Sequence, residues 1–243
     1  ICNSGLVKVG APSAPVFDPL YAAFRDTYKN RNKLIYVQSN AGMLHAFDDK
    51  TGDEKFAFIP PNVLLNGRLS GLRRADGSNA YSRSAASYSR YLLDGPVTVE
   101  DVEIGGQYKT LLLGQLGLGG AGMYVLDITS NTPEGTRFKW AIENDVHQYN
   151  AVNRDVVLKA ETDRKVLYWK GTANSTDAVV ERAHKVPAGS KFDADYDYRR
   201  LRRTVGVPYI GRVFSGTSAA KATWRWLFIM TSGSTNGVYG DYD

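Results

Sequence analysis

The sequence contains few of the residues that cross-link or catalyse in other proteins. Its 243 residues include one cysteine, Cys2, and three histidines, His45, His147 and His184. A single cysteine excludes an internal disulfide framework. The histidines are far apart and form no His-x-x-x-His pair of the kind that binds zinc. Because a Walker-type loop, helix-turn-helix spacing and a zinc-finger pattern are also missing, the sequence indicates neither an enzyme nor a nucleic-acid-binding protein.

The sequence also lacks a long apolar run and an initiator methionine. The stretch from Trp224 to Met230 contains Arg225 and is far shorter than the ~20 apolar residues that a membrane-spanning helix needs. We therefore expect no transmembrane segment in this chain. The chain opens on Ile1 with no signal-peptide pattern, so we expect a fragment or a processed piece of a longer protein.

The charge is mildly basic and unevenly distributed. The net charge is +5 and the pI is about 9.1. Much of the excess comes from Arg199–Arg203 and from Arg68, Arg73 and Arg74. An arginine cluster can hold phosphates. Three aspartates lie just upstream of the first group, however, and this favours a solvated loop with local acidic partners. We predict no nucleic-acid partner.

One segment, Asn40–Gly52, predicts the fold. It is a polar turn flanked by the apolar runs Leu34–Val37 and Phe56–Ile59, as in a strand–turn–strand unit. Gly52 can take the positive φ that closes a short hairpin, while Asp48 and Thr51 can hydrogen-bond the turn amides. The spacing of Ala46, Asp48, Thr51, Gly52 and Phe56 is that of a quinoprotein-like β-propeller blade. Phe56 stands where such a blade usually has its docking tryptophan.

The same unit recurs along the chain. Ala41-Gly42-Met43 returns as Ala121-Gly122-Met123, and each copy lies between an apolar strand and an aromatic-rich strand. A fainter third copy runs from Trp226 to Asp241. Three occurrences in the same order predict an all-β propeller. Since blades take roughly 40–50 residues each, we expect an incomplete portion of a larger ring.

The blade pattern assigns the elements and the interruptions between them. Leu20, Tyr21, Phe24 and Tyr28 fall near one face of a short helix, after a strand-like start at Gly10–Val16. Strands are predicted at about residues 34–38, 43–48, 54–59, 110–114, 122–128, 136–141 and 225–231, with Val166–Trp169 as another. We treat residues 1–243 as part of one propeller domain. It has a long insertion at about 61–105 and an insertion-rich stretch at about 144–204.

A family resemblance follows from residues 10 to 130. It rests on Gly10-Ala11-Pro12-Ser13, Asn40-x-Gly42-Met43-Leu44-His45-Ala46-Phe47-Asp48, Thr51-Gly52-x-Glu54, Ala57-Phe58-Ile59-Pro60, Tyr91-Leu92-Leu93-Asp94-Gly95, Lys109–Gly114, Leu116-Gly117-x-Gly119-Gly120 and Leu126-Asp127-Ile128-Thr129. In these motifs the chain resembles the propeller domain of the PilY/PilC family of type IV pilus biogenesis factors and tip adhesins. The resemblance becomes faint beyond Asn144.

The resemblance implies a non-enzymatic role. A pilus assembly factor and tip-associated adhesin would promote pilus extension over retraction, and with it twitching motility and surface attachment. The implied partners are minor pilins, the pilus tip complex and a host or abiotic surface. The implied location of this exported protein is the cell surface, at the pilus tip or the outer membrane. A second alternative of the same fold is an outer-membrane assembly scaffold.

The resemblance also implies a calcium loop, and in this loop the chain departs from the family. The one similar string has carboxylates at alternate positions, Asp193, Asp195 and Asp197, which could converge on Ca²⁺. Tyr198 replaces the glycine of the sharp turn, and Leu201 replaces the later acid. A separate departure lies in the blade motif, where Ala41 stands at a position at which the family usually has an acidic residue.

Enzymatic alternatives are weaker. A quinone-dependent oxidoreductase is the first alternative, but such enzymes typically need paired cysteines, so no quinone is expected. His45 lies within the blade motif and is interpreted as a structural imidazole bonded to the backbone. Gly114–Gly120 is followed by no Lys-Ser/Thr pair, so its glycines are interpreted as residues of a tight hairpin.

Overall fold

Strands make up most of the fold. The computed structural model describes residues 4–64, 91–144, 147–150, 155–158, 166–171, 180–183, 204, 206–215 and 223–230. The helices are α1 (Pro19–Tyr28) and α2 (Pro61–Leu64). The strands are β1 (Val7–Val9), β2 (Leu34–Ser39), β3 (Met43–Asp48), β4 (Glu54–Phe58), β5 (Val97–Ile104), β6 (Gln107–Gln115), β7 (Ala121–Asp127), β8 (Arg137–Asn144), β9 (His147–Asn150), β10 (Asp155–Leu158), β11 (Val166–Lys170), β12 (Val180–Ala183), β13 (Tyr209–Ser215) and β14 (Thr223–Ile229).

The strands form antiparallel meanders, as short connections between successive strands require. The first sheet has the order β1-β2-β3-β4, and the second has the order β5-β6-β7-β8-β11-β12. Two hairpins, β9–β10 and β13–β14, complete the set of described strands. The first four strands of the second sheet repeat the up-and-down order of the first sheet, which is the order within a propeller blade.

The sheets stack face to face with the second sheet in the middle. One core cluster joins Leu34 and Leu44 of the first sheet to Leu112 and Leu126 of the second. Because neighbouring side chains of a strand point to opposite faces, Leu113 lies on the far side of β6. There, a second cluster joins the sheet to the β13–β14 hairpin, through Ile210, Trp226 and Phe228. The three layers therefore stack like successive blades.

The all-β propeller prediction is confirmed, and so is the packing of two aromatic residues. Phe56 packs in the cluster between the first two layers, with its ring 6.2 Å from that of Tyr36. Trp140 packs in the second cluster against Phe228, with ring centroids 5.7 Å apart. The described sheets do not close into a ring, in agreement with an incomplete portion of a propeller.

Three local features differ from expectation. The opening strand is Val7–Val9, and residues 10–18 are irregular because prolines interrupt them. Helix α1 buries Tyr21 and Phe24, but Leu20 is 51% exposed because it lies one step round the helix from the buried face. Residues 97–104, at the end of the expected insertion, pair with β6 along their length.

Candidate functional site

The β3–β4 turn has the predicted hydrogen bonds. Asp48 Oδ1 accepts from the backbone N–H groups of Lys50 (2.9 Å) and Thr51 (3.1 Å), and Gly52 has a φ of 75°. The Gly52 N–H donates to the Asp48 carbonyl over 3.0 Å. The hydrogen bonds from the Lys50 and Thr51 backbone N–H groups hold the pKa of the Asp48 carboxyl below its usual range. The turn therefore fixes the register of β3 and β4.

Asp48 should make the chain sensitive to acid. A carboxyl whose pKa is lower in the folded state stabilises it above the unfolded pKa, and this stabilisation is lost as the pH falls through the folded pKa. We expect Asp48→Asn to lower the melting temperature at pH 7 and to match the wild type at the lowest pH at which both fold. Thermal unfolding across pH tests this, with the exposed Glu134→Gln as the control. A difference that does not depend on pH would contradict the assignment.

Buried polar side chains pin the first two sheets together, and Gln38 is central among them. Its Nε2 donates to the carbonyls of Gly95 (2.7 Å) and Gln115 (2.9 Å), and its Oε1 accepts from the Tyr124 hydroxyl (2.8 Å). Gln38 and Tyr124 are fully buried. Buried amides and carbonyls need such partners, so the three bonds fix the position of one sheet relative to the other.

Asn131 makes a second set of buried hydrogen bonds between separate segments. Its Oδ1 accepts from the Tyr36 hydroxyl over 2.6 Å, and its Nδ2 donates to the carbonyls of Val9 (3.1 Å) and Asn32 (2.6 Å). Asn131 is fully buried and has a φ of 55°, a left-handed conformation that asparagine tolerates. These hydrogen bonds connect the loop after β7 to both ends of the segment that joins β1 to β2.

Helix α1 is held by a third network, centred on Asp101 of β5. The carboxylate accepts from the hydroxyls of Tyr21 (2.8 Å) and Thr110 (2.6 Å). Arg31 donates to the same Thr110 hydroxyl (2.7 Å) and to the Thr129 carbonyl (3.0 Å). Burial lowers the pKa of Arg31 while the Asp101 charge raises it. Burial, with the Asp101 bond, raises the pKa of Tyr21 well above its usual value.

The outer face of the first sheet carries a polar triad. His45 contacts two side chains, with its Nε2 3.1 Å from Ser39 Oγ and its Nδ1 2.6 Å from Glu54 Oε1. Its ring also stacks on Phe47 at 5.9 Å. The interpretation of His45 as bonded to the backbone is therefore wrong. Cross-strand neighbours on one face of the sheet, which the hairpin motif alone does not pair, supply both partners.

The β13–β14 hairpin exposes an apolar face on the side away from the second sheet. Tyr209 (65% exposed) pairs with Ile229 (55% exposed), and Leu227 (43% exposed) lies next along β14. The opposite face of the hairpin packs in the core, so the strand pair is apolar on both sides. Strands of this kind normally lie between two layers.

Several sequence predictions fall outside the described residues. The proposed calcium ligands Asp193, Asp195 and Asp197 are among them, as are Arg68, Arg73, Arg74 and Arg199–Arg203. Within the part of the chain that the structure covers, no group of three or more His, Cys, Asp or Glu side chains could hold a metal ion. No helix in that part is long and apolar enough to cross a membrane.

Sequence reasoning missed the residues that pin the layers. Gln38 follows directly on the apolar run Leu34–Val37, and a polar residue inside a buried strand is a signal that could have identified it. The glycine loop was interpreted correctly, since Gly117 has a φ of 59° in the tight β6–β7 connection. Asp101 and Arg31 carry no signal in the sequence because their partners Tyr21 and Thr110 lie 80 and 79 positions away.

Comparison with known proteins gives consistent matches. A family model described as the PilY1 beta-propeller domain matches residues 1–164. A type IV pilus biogenesis factor PilY1 from Pseudomonas aeruginosa strain UCBPP-PA14 is 36% identical over 141 residues, which are 57% of this chain and 11% of that protein. A PilY1 homolog from Xylella fastidiosa strain Temecula1 is 34% identical over 151 residues, covering 58% of this chain and 11% of that protein.

The same comparison extends to a solved structure. The crystal structure of the Pseudomonas aeruginosa PilY1 C-terminal domain aligns with 75% of this chain and 37% of that chain, at a TM-score of 0.40 and 24% identity. The alignments with the two curated relatives described above each span only 11% of the relative's length.

Proposed function

The chain belongs to the PilY1 β-propeller domain family, whose model matches residues 1–164, and we propose that it acts as a non-enzymatic type IV pilus assembly factor and tip-associated adhesin. In this role it promotes pilus extension over retraction and contributes to surface attachment. Its partners are minor pilins and the pilus tip complex, and its location is the cell surface, at the pilus tip or the outer membrane. The family match is the observation that carries the proposal.

The buried hydrogen bonds between the sheets fit a rigid scaffold for binding partners. Gln38, Asn131 and Asp101 each tie separate segments together through buried hydrogen bonds. A body held in this way keeps its loops at fixed positions, and loops on a rigid scaffold are where partners are normally recognised. The sequence predicts a long insertion at about residues 61–105, between two blade-like units, and such insertions are connections of this kind. We propose that partner contacts lie on these connections.

A chimaera tests the proposal in a living cell. The matched segment of the Pseudomonas aeruginosa protein is replaced by the corresponding residues of this chain, and the twitching zone is measured. We expect the chimaera to restore motility to a strain that lacks the gene. A chimaera that also carries Asp101→Ala, which should destabilise the domain by removing the buried hydrogen bonds to Tyr21 and Thr110, is the control. Normal abundance at the cell surface without motility would contradict the proposal.

The quinone alternative and calcium binding are tested together. We propose that Asp193, Asp195 and Asp197 are the calcium ligands if the chain binds this ion, and that no quinone enzyme forms. The chain is mixed with pyrroloquinoline quinone and Ca²⁺, and dye reduction with alcohols or sugars is measured. We expect no turnover, and any rise in melting temperature with Ca²⁺ should disappear in Asp195→Asn. Turnover that depends on the quinone would contradict the non-enzymatic assignment.

A further inference from the structure

Three polar residues lie on successive strands of the first sheet, and their side chains form a hydrogen-bonded network. Ser39 ends β2, His45 lies on β3 and Glu54 begins β4. Ser39 Oγ is 3.1 Å from His45 Nε2, and His45 Nδ1 is 2.6 Å from Glu54 Oε1. A hydroxyl, an imidazole and a carboxylate in this order have the arrangement of an activated nucleophile, its base and the group that orients the base.

The chemistry of the three groups settles where the imidazole proton lies. An ionised carboxylate can only accept, so in the neutral ring the proton is on Nδ1 and faces Glu54. Nε2 is then left with its lone pair toward Ser39. The Ser39 hydroxyl can donate to this lone pair or to the Met43 carbonyl, which is 3.3 Å away. The shorter contact is the one to the imidazole, so the base is within reach of the proton that it would remove.

The position of the triad allows a ligand to approach. Leu44 and Ala46 face the core, so the alternating His45 points to the outer side of the sheet. The side chains of His45 and Glu54 are 19% and 45% exposed, and Ser39 is 9% exposed. Asn40, which follows Ser39, is only 3% exposed, and Gly42 lies against Val63 and Leu92, so a ligand would reach the Ser39 hydroxyl along the outer face of the sheet, past His45.

We propose that Ser39 is a nucleophile, activated by His45 and oriented through Glu54, that accepts an acyl group from activated esters or thioesters. Ser39 Oγ bonds to the carbonyl carbon while His45 Nε2 takes the hydroxyl proton. The bond from that carbon to the leaving oxygen or sulfur then breaks. Nε2 gives the proton to the leaving group, which departs as an alcohol or a thiol. The product is one acyl-serine per chain, a covalent attachment that goes beyond the proposed assembly role.

Mass spectrometry of the purified 243-residue chain tests the proposal. The probes are p-nitrophenyl acetate and a fluorophosphonate, and the adduct is located by peptide mapping. We expect one adduct at Ser39 and the release of one p-nitrophenolate per chain. Ser39→Ala should abolish the adduct, and His45→Gln should slow its formation roughly 100-fold.

Two further variants separate activation from structure. Glu54→Gln retains an acceptor for Nδ1 but removes the charge, so it should slow labelling without preventing it. Ser130→Ala removes a hydroxyl whose neighbour is Thr132, at 3.4 Å, and should leave the rate unchanged. Thermal unfolding confirms that each variant folds. No adduct at Ser39, adducts spread over other serines, or labelling that His45→Gln leaves unchanged would each overturn the proposal.

Discussion

Asp101→Ala is expected to destabilise the chain by about 3–5 kcal/mol, since each hydrogen bond to a charged group contributes ~1.5–3 kcal/mol. The variant removes the acceptor of the Tyr21 and Thr110 hydroxyls and leaves the half-buried Arg31 without its nearby opposite charge. Helix α1 should lose its anchor on β5. Urea unfolding monitored by circular dichroism measures the change.

The control is Asp26→Ala, on the same helix. Asp26 contacts Lys29 over 2.7 Å, but both side chains are largely exposed, at 76% and 60%. Exposed pairs of this kind contribute little, so we expect no measurable change in the unfolding midpoint. Equal effects of the two substitutions would show that the buried network does not anchor the helix.

Gln38→Ala is expected to cost about 2–4 kcal/mol because buried groups that lose their partners cost ~1–3 kcal/mol each. The Gly95 and Gln115 carbonyls and the Tyr124 hydroxyl would all be left without the Gln38 amide. Gln38→Met keeps most of the volume but restores none of the bonds, and should lose nearly as much stability. Calorimetric unfolding of the two variants separates packing from hydrogen bonding.

The exposed Gln107, at the start of β6, provides the matched control. Gln107→Ala should leave the melting temperature unchanged, since substitutions at exposed sites are usually neutral. Near-native stability of Gln38→Met would mean that packing, and not the three hydrogen bonds, holds the sheets together.

The propeller layers could be predicted because their signals are local. The turn at Asp48–Gly52 and the alternation of apolar residues repeat along the chain, and each element is decided by neighbours within a few positions. The strands predicted at about residues 34–38, 43–48 and 54–59 agree with β2, β3 and β4 to within one residue. The opening strand was misplaced because Val7–Val9 is too short to show a period, and its pairing with β2 decides it.

The site residues were harder to predict because tertiary pairing creates them. Ser39, His45 and Glu54 lie within 16 positions, yet their contacts depend on the register of three strands. A one-residue change in register moves a side chain to the opposite face. Gln38 and Tyr124 come from different sheets, 86 positions apart. No pattern within a single strand predicts that they meet.

The central claim is that this propeller supports pilus assembly, and counts of surface pili test it most directly. The chimaeric Pseudomonas aeruginosa protein is expressed with and without the motor that retracts the pilus, and pili are counted by electron microscopy. In each background, we predict that cells with the chimaera carry nearly as many pili as cells with the native Pseudomonas aeruginosa protein. A strain without the gene should show pili only when retraction is absent. Counts for a stably produced chimaera that match those of the deletion strain in both backgrounds would contradict the claim.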